Sequence, residues 1–202
     1  MIPGFLQYGI ITSPKNIHHI KRQEKIFGSP IEPYMTTSRD AVWNNADVIK
    51  KSPSTEKPVP REQVQAVQDH IFLLGIVDQT PNVKGVFITT ERAHIISQED
   101  MIREFVKDCG QITNDTWDVL VLGAAAYNSS MPLSHAIERI HVMRQPAAMF
   151  IKKDCIPKII EAFTDILKTD HFPSLPYLYS KAESKGLLIV GPWHSRIYAV
   201  GF

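Results

Sequence analysis

Apolar and polar positions fall into blocks along this chain, and the period changes from block to block. Residues 5–12 form a β-rich run with Leu6, Tyr8, Ile10 and Ile11, closed by Ser13-Pro14, which predicts a first strand. From about 15 to 27 the spacing turns helical. Ile17, Ile20 and Phe27 are expected inward and His18, Lys21, Arg22 and Lys25 outward, with Gly28-Ser29-Pro30 as the stop. A short strand near Ile31 follows. Residues 34–60 are polar and broken by Pro53, Pro58 and Pro60, too long for a simple connector, and are expected to form a mobile loop.

Helical period returns over 61–79 on a stripe of Val64, Val67, Ile71 and Leu74, and Pro81-Asn82 breaks it. Residues 86–88 then read as a buried strand between Gly85 and Thr89-Thr90. After Glu91, Arg92 and His94 the chain turns apolar again and a helix is expected. Ser97 is its N-cap, Glu99 and Asp100 suit its first turn, and Ile102, Phe105, Val106 and Cys109 form its stripe. Residues 117–123, Trp-Asp-Val-Leu-Val-Leu-Gly, are continuously apolar from Val119 on, as in strands covered on both faces. Residues 124–144 show no clear period. A strand is expected at 147–151, a strong helix at 154–168, and late strands at 187–190 and 197–200. Strand and helix alternate, so the expected class is α/β with a largely parallel sheet.

Composition adds bounds. At 202 residues the chain is long enough for one full core, so a single domain over 1–202 with the loop at about 34–60 is expected. A formal charge of +1 argues against a dedicated nucleic-acid binder. No apolar run has membrane-span length and no signal-peptide pattern opens the chain, which gives the expectation of a soluble, cytoplasmic protein. Cys109 and Cys155 make neither a metal spacing nor a disulfide framework, and read as buried and inert.

The chemistry concentrates at 84–96. Three ionisable residues, Glu91, Arg92 and His94, follow directly on a buried strand, and open α/β sheets bind ligands just past the carboxyl ends of their strands. An ordinary loop with a surface ion pair has the same pattern, and spacing does not separate the two. Gly-rich phosphate loops, His-Glu-x-x-His and Gly-x-Ser-x-Gly are absent. His18-His19 and His171 have metal-binding side chains, but solvated histidines are the commoner reading.

Several stretches in order resemble glycosyltransferase family 25, the lipopolysaccharide-modifying and collagen-galactosylating enzymes with relatives in large viruses. They are Tyr8-Gly9-Ile10-Ile11-Thr12 leading into a charged helix, Val67-Gln68-Asp69-His70 before apolar residues, Val86-Phe87-Ile88-Thr89-Thr90-Glu91, the Trp117–Gly123 run, and Ala147-Ala148-Met149-Phe150-Ile151 before a helix. The resemblance covers roughly residues 6–175. It implies a GT-A-like, Rossmann-type sheet binding a nucleotide sugar at its strand ends. The partners it implies are a nucleotide sugar and a glycan, lipid-linked or protein hydroxyl acceptor, with no nucleic acid and no membrane span.

The resemblance also implies roles. Thr12 and Ser13 would meet the nucleotide, Arg22 and Arg92 its phosphates, and Glu91 and His94 would lie beside them. Asp170 would deprotonate the acceptor, and His70, a catalytic candidate, would assist Arg92 at the leaving group with or without His94. Outside the span of the resemblance, Trp193, His194 and Arg196 form a polar-aromatic turn whose ring and donors suit stacking on an acceptor sugar. Each has a plainer reading as a turn, a solvated charge, a core histidine, a capping carboxylate or packing. The family holds Mn²⁺ or Mg²⁺ with paired aspartates, where this chain has only Glu91 followed by Arg92 and Ala93. Two accounts follow. Either Arg92 replaces the metal at the diphosphate, or the fold survives as a degenerate binding or structural module.

Overall fold

The computed structural model describes residues 4–36, 61–95, 117–132, 137–167, 174–192 and 198–200. β1 (Phe5–Ile11) is followed by a 3-10 turn (Pro14–Asn16), α1 (Ile17–Phe27) and β2 (Glu32–Met35). Then come α2 (Arg61–Gln79), β3 (Gly85–Thr90), β4 (Ala93–Ile95), β5 (Val119–Pro132) and β6 (Ile137–Lys152). A second 3-10 turn (Lys153–Cys155) opens α3 (Ile156–Leu167), before α4 (Leu175–Ser184), β7 (Ile189–Pro192) and β8 (Tyr198–Val200).

Six strands form one sheet in the order β2-β1-β3-β6-β5-β7, and β4 and β8 form a separate ribbon. β1 pairs parallel to β2 and β3, and β5 parallel to β7, while β6 is antiparallel to β3, β5 and β7. Five strands thus run one way, and the molecule is an α/β fold with a mostly parallel sheet flanked by helices.

The alternation of inward residues explains the layers. Val86, Ile88, Val119, Val121, Met149 and Ile151 face α2, α3 and α4, whose Leu74, Ile159, Phe163 and Tyr179 are buried against them. Phe87, Leu120, Leu122 and Phe150 point to the other face, where Ile20, Ile26 and Phe27 of α1 cover them. The 117–123 run is therefore covered on both faces, as its continuous apolar character requires. Gly9 allows α1 to lie close, since a Cβ there would sit 2.6 Å from Ile20 Cδ1.

Some expectations change. Ile17, expected inward, is 39% exposed. It is the first residue of α1 directly after the 3-10 turn, and the buried stripe begins only at Ile20. Residues 34 and 35, expected in the loop, belong to β2 because they pair with Ile10 and Ile11 of β1. The unpatterned stretch after Ala124 is a long bulged hairpin of β5 and β6. An additional helix, α4, begins at Ser174, whose hydroxyl accepts from the Tyr177 amide. Where a helix was expected after His94, β4 comes first and pairs with β8 about a hundred residues later. Thr36 still donates its amide to the Ile11 carbonyl at 3.0 Å, while residues 37–60 of the proposed loop, the helix proposed from Ser97 and Cys109 lie outside the described residues. Cys155 is buried, and burial pushes its thiol up to about 12.

Candidate functional site

β1 and β3 are parallel neighbours with Ile10 opposite Thr90, so their carboxyl ends finish side by side. The Glu91 amide donates to the Ile10 carbonyl at 2.9 Å, extending the pairing one step into the turn. The Glu91 carboxylate then reaches back across the two strand ends. Its Oε1 accepts the Thr12 hydroxyl at 2.6 Å and its Oε2 accepts the Thr12 amide at 2.8 Å. A third donor, Asn16 Nδ2, meets Oε2 at 2.9 Å. Asn16 stands at the N-cap of α1, where its side chain would ordinarily accept from helix amides. Here it makes no such bond and donates to Glu91 instead.

Burial alone would raise the Glu91 carboxyl. The Thr12 hydroxyl and amide, Asn16 and the Arg92 charge more than offset this, and the group is held below its ordinary value. Behind it, the buried Gln23 of α1 donates to the carbonyls of Thr90 (3.1 Å) and Ala93 (3.2 Å) and accepts the Thr89 hydroxyl at 2.8 Å. The turn after β3 is thereby fixed to α1 from inside and clamped to β1 from outside.

Thr12, Ser13, Glu91, Arg92 and His94 thus come together at one end of the sheet. Ser13 caps the 3-10 turn, its Oγ accepting the Lys15 amide at 3.4 Å. Arg92 is exposed on the turn. His94, exposed on β4, has its ring 6.2 Å from His19, which in turn lies 4.0 Å from the His18 ring. The β4–β8 pairing brings the late part of the chain to this end too, with Ala93 opposite Val200. Arg22 lies farther along α1, on its solvent side.

His70 is not part of this group. It is 1% exposed on α2, bonded to the Tyr179 hydroxyl and stacked beside Phe163, on the opposite face of the sheet from α1. Burial pulls it down to about 3, so it is neutral. The expectation of a catalytic His70 is corrected to that of a core histidine. Asp170, Trp193, His194, Arg196 and His171 lie outside the described residues. Asn16 and Gln23 were missed by the sequence reading. Asn16 carried the one available signal, an N-cap residue type just before the helix.

The donor set does not suit Mg²⁺ or Mn²⁺. Both Glu91 oxygens already accept hydrogen bonds, and no group of three or more His, Cys, Asp or Glu among the described residues could hold a metal ion. No helix among the described residues is long and apolar enough to cross a membrane.

No family model matches the chain, and no curated protein matches it in sequence. In fold, 35 chains of solved structures match. Among them is the crystal structure of mannose-1-phosphate geranyltransferase from Thermus thermophilus, at a TM-score of 0.51 and 9% identity, covering 96% of this chain and 75% of that one. At that identity the likeness shows the fold alone. The fold is one also used by a transferase named for a sugar phosphate, and the finer resemblance to glycosyltransferase family 25 has no support from the sequence comparisons.

Proposed function

We propose that this chain is a nucleotide-sugar transferase that works without a metal ion held by the protein. The observation that carries the reading is the Glu91 clamp. It makes one rigid shelf of two adjacent strand ends, the place where open α/β sheets take their ligands, with Arg92 exposed beside it. The fold itself is shared with a solved transferase named for a sugar phosphate.

In this account the Thr12–Ser13 turn meets the nucleotide, and the Arg92 guanidinium pairs bidentately with the diphosphate. The acceptor hydroxyl oxygen attacks the anomeric carbon as the bond from that carbon to the phosphate oxygen breaks. The hydroxyl proton passes to a base, for which Asp170 is the candidate. The nucleoside diphosphate leaves with its added charge balanced by Arg92. His94 would assist at the phosphates, Trp193 and His194 would line the acceptor side, and Glu91 positions Thr12 and ligates no metal.

A second reading, a binding or structural module of the same fold that has lost catalysis, is favoured by the same full engagement of Glu91 where the resembled family uses paired aspartates to hold a metal. A thermal-shift screen of nucleotide sugars with and without Mn²⁺, followed by a hydrolysis and transfer assay on the hits, tests both. A ligand that binds only the folded state raises its apparent stability. Stabilisation without Mn²⁺ and with turnover supports the transferase, stabilisation without turnover supports a module that binds without catalysis, and no stabilisation by any nucleotide sugar removes the transferase and favours the degenerate module.

A further inference from the structure

The outward face of α1 is built from one kind of charge. His18, Lys21, Arg22 and Lys25 are all exposed and stand at i, i+3, i+4 and i+7, which aligns them on one stripe opposite the buried Ile20 and Gln23. The stripe is about 10 Å long at the helical rise of about 1.5 Å per residue. Exposed Lys15 extends it toward the start of the helix. Glu24, the one acidic residue of α1, sits at its edge, paired with Lys21 at 2.7 Å and accepting the Ile31 amide at 2.9 Å.

A merely solvated helix face favours mixed charges, because like charges at i, i+4 repel. Here Lys21 and Lys25 stand in that relation, as do His18 and Arg22 whenever the histidine is protonated. The stripe is not the local expression of a basic protein, since the chain carries a formal charge of only +1. Beside it, at the start of the helix, Ile17 is 39% exposed.

We propose that this face of α1 docks the protein on an anionic bilayer surface. Charge complementarity selects an extended anionic partner, and two features favour lipid over nucleic acid. The stripe is straight and carries no Phe, Tyr or Trp on which a base could stack, and its one ring, His18, already lies against His19 at 4.0 Å. Ile17 can enter the boundary between headgroups and acyl chains, where an aliphatic group is favoured, and gains nothing from a phosphate backbone. The apolar face of α1 is occupied by the sheet, so the contact is electrostatic and peripheral. The proposal is independent of the transferase reading, because it uses no residue of the Glu91 shelf.

Co-sedimentation of the full chain with phosphatidylcholine vesicles, with and without phosphatidylserine, tests it at low and physiological ionic strength. The account expects salt-sensitive binding to the anionic vesicles only. Each basic side chain near such a surface is worth about fivefold, so Lys21→Gln/Arg22→Gln/Lys25→Gln should weaken binding by about 100-fold. Exposed Lys158, Lys181 and Lys185 lie on α3 and just at the end of α4, over the other face of the sheet. Their triple replacement by Gln should change binding little, and circular dichroism should show both variants folded. Equal binding to neutral vesicles, no binding to anionic ones, or equal loss in the two triple variants would overturn the proposal. So would an RNA or DNA oligonucleotide that displaces the vesicles from the stripe and binds it more tightly.

Discussion

Glu91 accepts both the backbone amide and the hydroxyl of Thr12, a residue 79 positions earlier in the chain. The two contacts join the ends of β1 and β3 and make Thr12 a fixed group rather than the start of a free turn. Glu91→Gln keeps the size but puts an NH₂ where one acceptor stood. At this partly exposed position the change should destabilise the protein by about 1–2 kcal/mol at neutral pH.

The pH dependence of that difference has a definite sign. The folded carboxyl lies below its ordinary value of 4.5, so the unfolded chain takes up the proton first as pH falls. The contribution of Glu91 is complete above the ordinary carboxylate range and is lost as pH drops through the lowered folded value. Urea denaturation of wild type and Glu91→Gln over a pH series should show a constant gap near neutrality that narrows in acid. A gap that widens in acid would mean that Glu91 is not held as the anion.

His70 gives a second pH signature, in a higher window. Its folded value lies near 3 and its ordinary value at 6.5, so between these two the unfolded state binds one more proton than the folded state. Stability should fall by about 1.4 kcal/mol for each pH unit below the ordinary value, or about 2 kcal/mol between neutral and mildly acidic conditions. His70→Gln should remove that slope while leaving Tyr179 a polar partner. Denaturation midpoints of the two proteins that fall in parallel with pH would show that His70 titrates normally and is not buried.

Gly9 is expected to be intolerant for a reason of space. A Cβ would lie 2.6 to 2.8 Å from three atoms of the fully buried Ile20. Gly9→Ala should therefore push α1 off the sheet, at about 1–3 kcal/mol by analogy with other overpacked cores. Asn16 precedes the same helix, so ligand affinity at the strand ends should fall with it. Thermal denaturation combined with nucleotide titration checks both effects, and unchanged values for both would mean that the contact is loose.

The elements that depend on local pattern were readable in the sequence. Unbroken apolar runs at Val86, Phe87 and Ile88 and at Val119 to Leu122 announce strands with two covered faces, and the two cores of the structure use those residues in that sense. Glu91 and Thr12 were each readable as strand-end residues. Their mutual contact was not, because it depends on β1 and β3 becoming neighbours through pairing over some 80 residues. β8 matches the late strand expected at 197–200, but β4 and its pairing with β8 escaped for the same reason, since a three-residue strand has too little period of its own. His70 misled because a histidine beside an apolar stripe has the same spacing whether it faces a ligand or the core, and Tyr179, the partner that decides it, comes 109 positions later. The start of α4 was legible in principle from Ser174 followed by Pro176, an N-cap and an early proline.

The central claim is that Arg92, rather than a bound metal, recognises the diphosphate, and calorimetric titration of a nucleoside diphosphate tests it most directly. Wild type, Arg92→Ala and Arg92→Lys would each be titrated with and without Mn²⁺. Charge-assisted hydrogen bonds contribute about 1.5–3 kcal/mol each, so Arg92→Ala should weaken binding at least about tenfold. Arg92→Lys should recover only part of it, because an ammonium cannot form the planar fork. Mn²⁺ should change none of the three affinities by more than about twofold, given that the Glu91 oxygens are already engaged. Tight binding that requires Mn²⁺ and is indifferent to Arg92 would contradict the account.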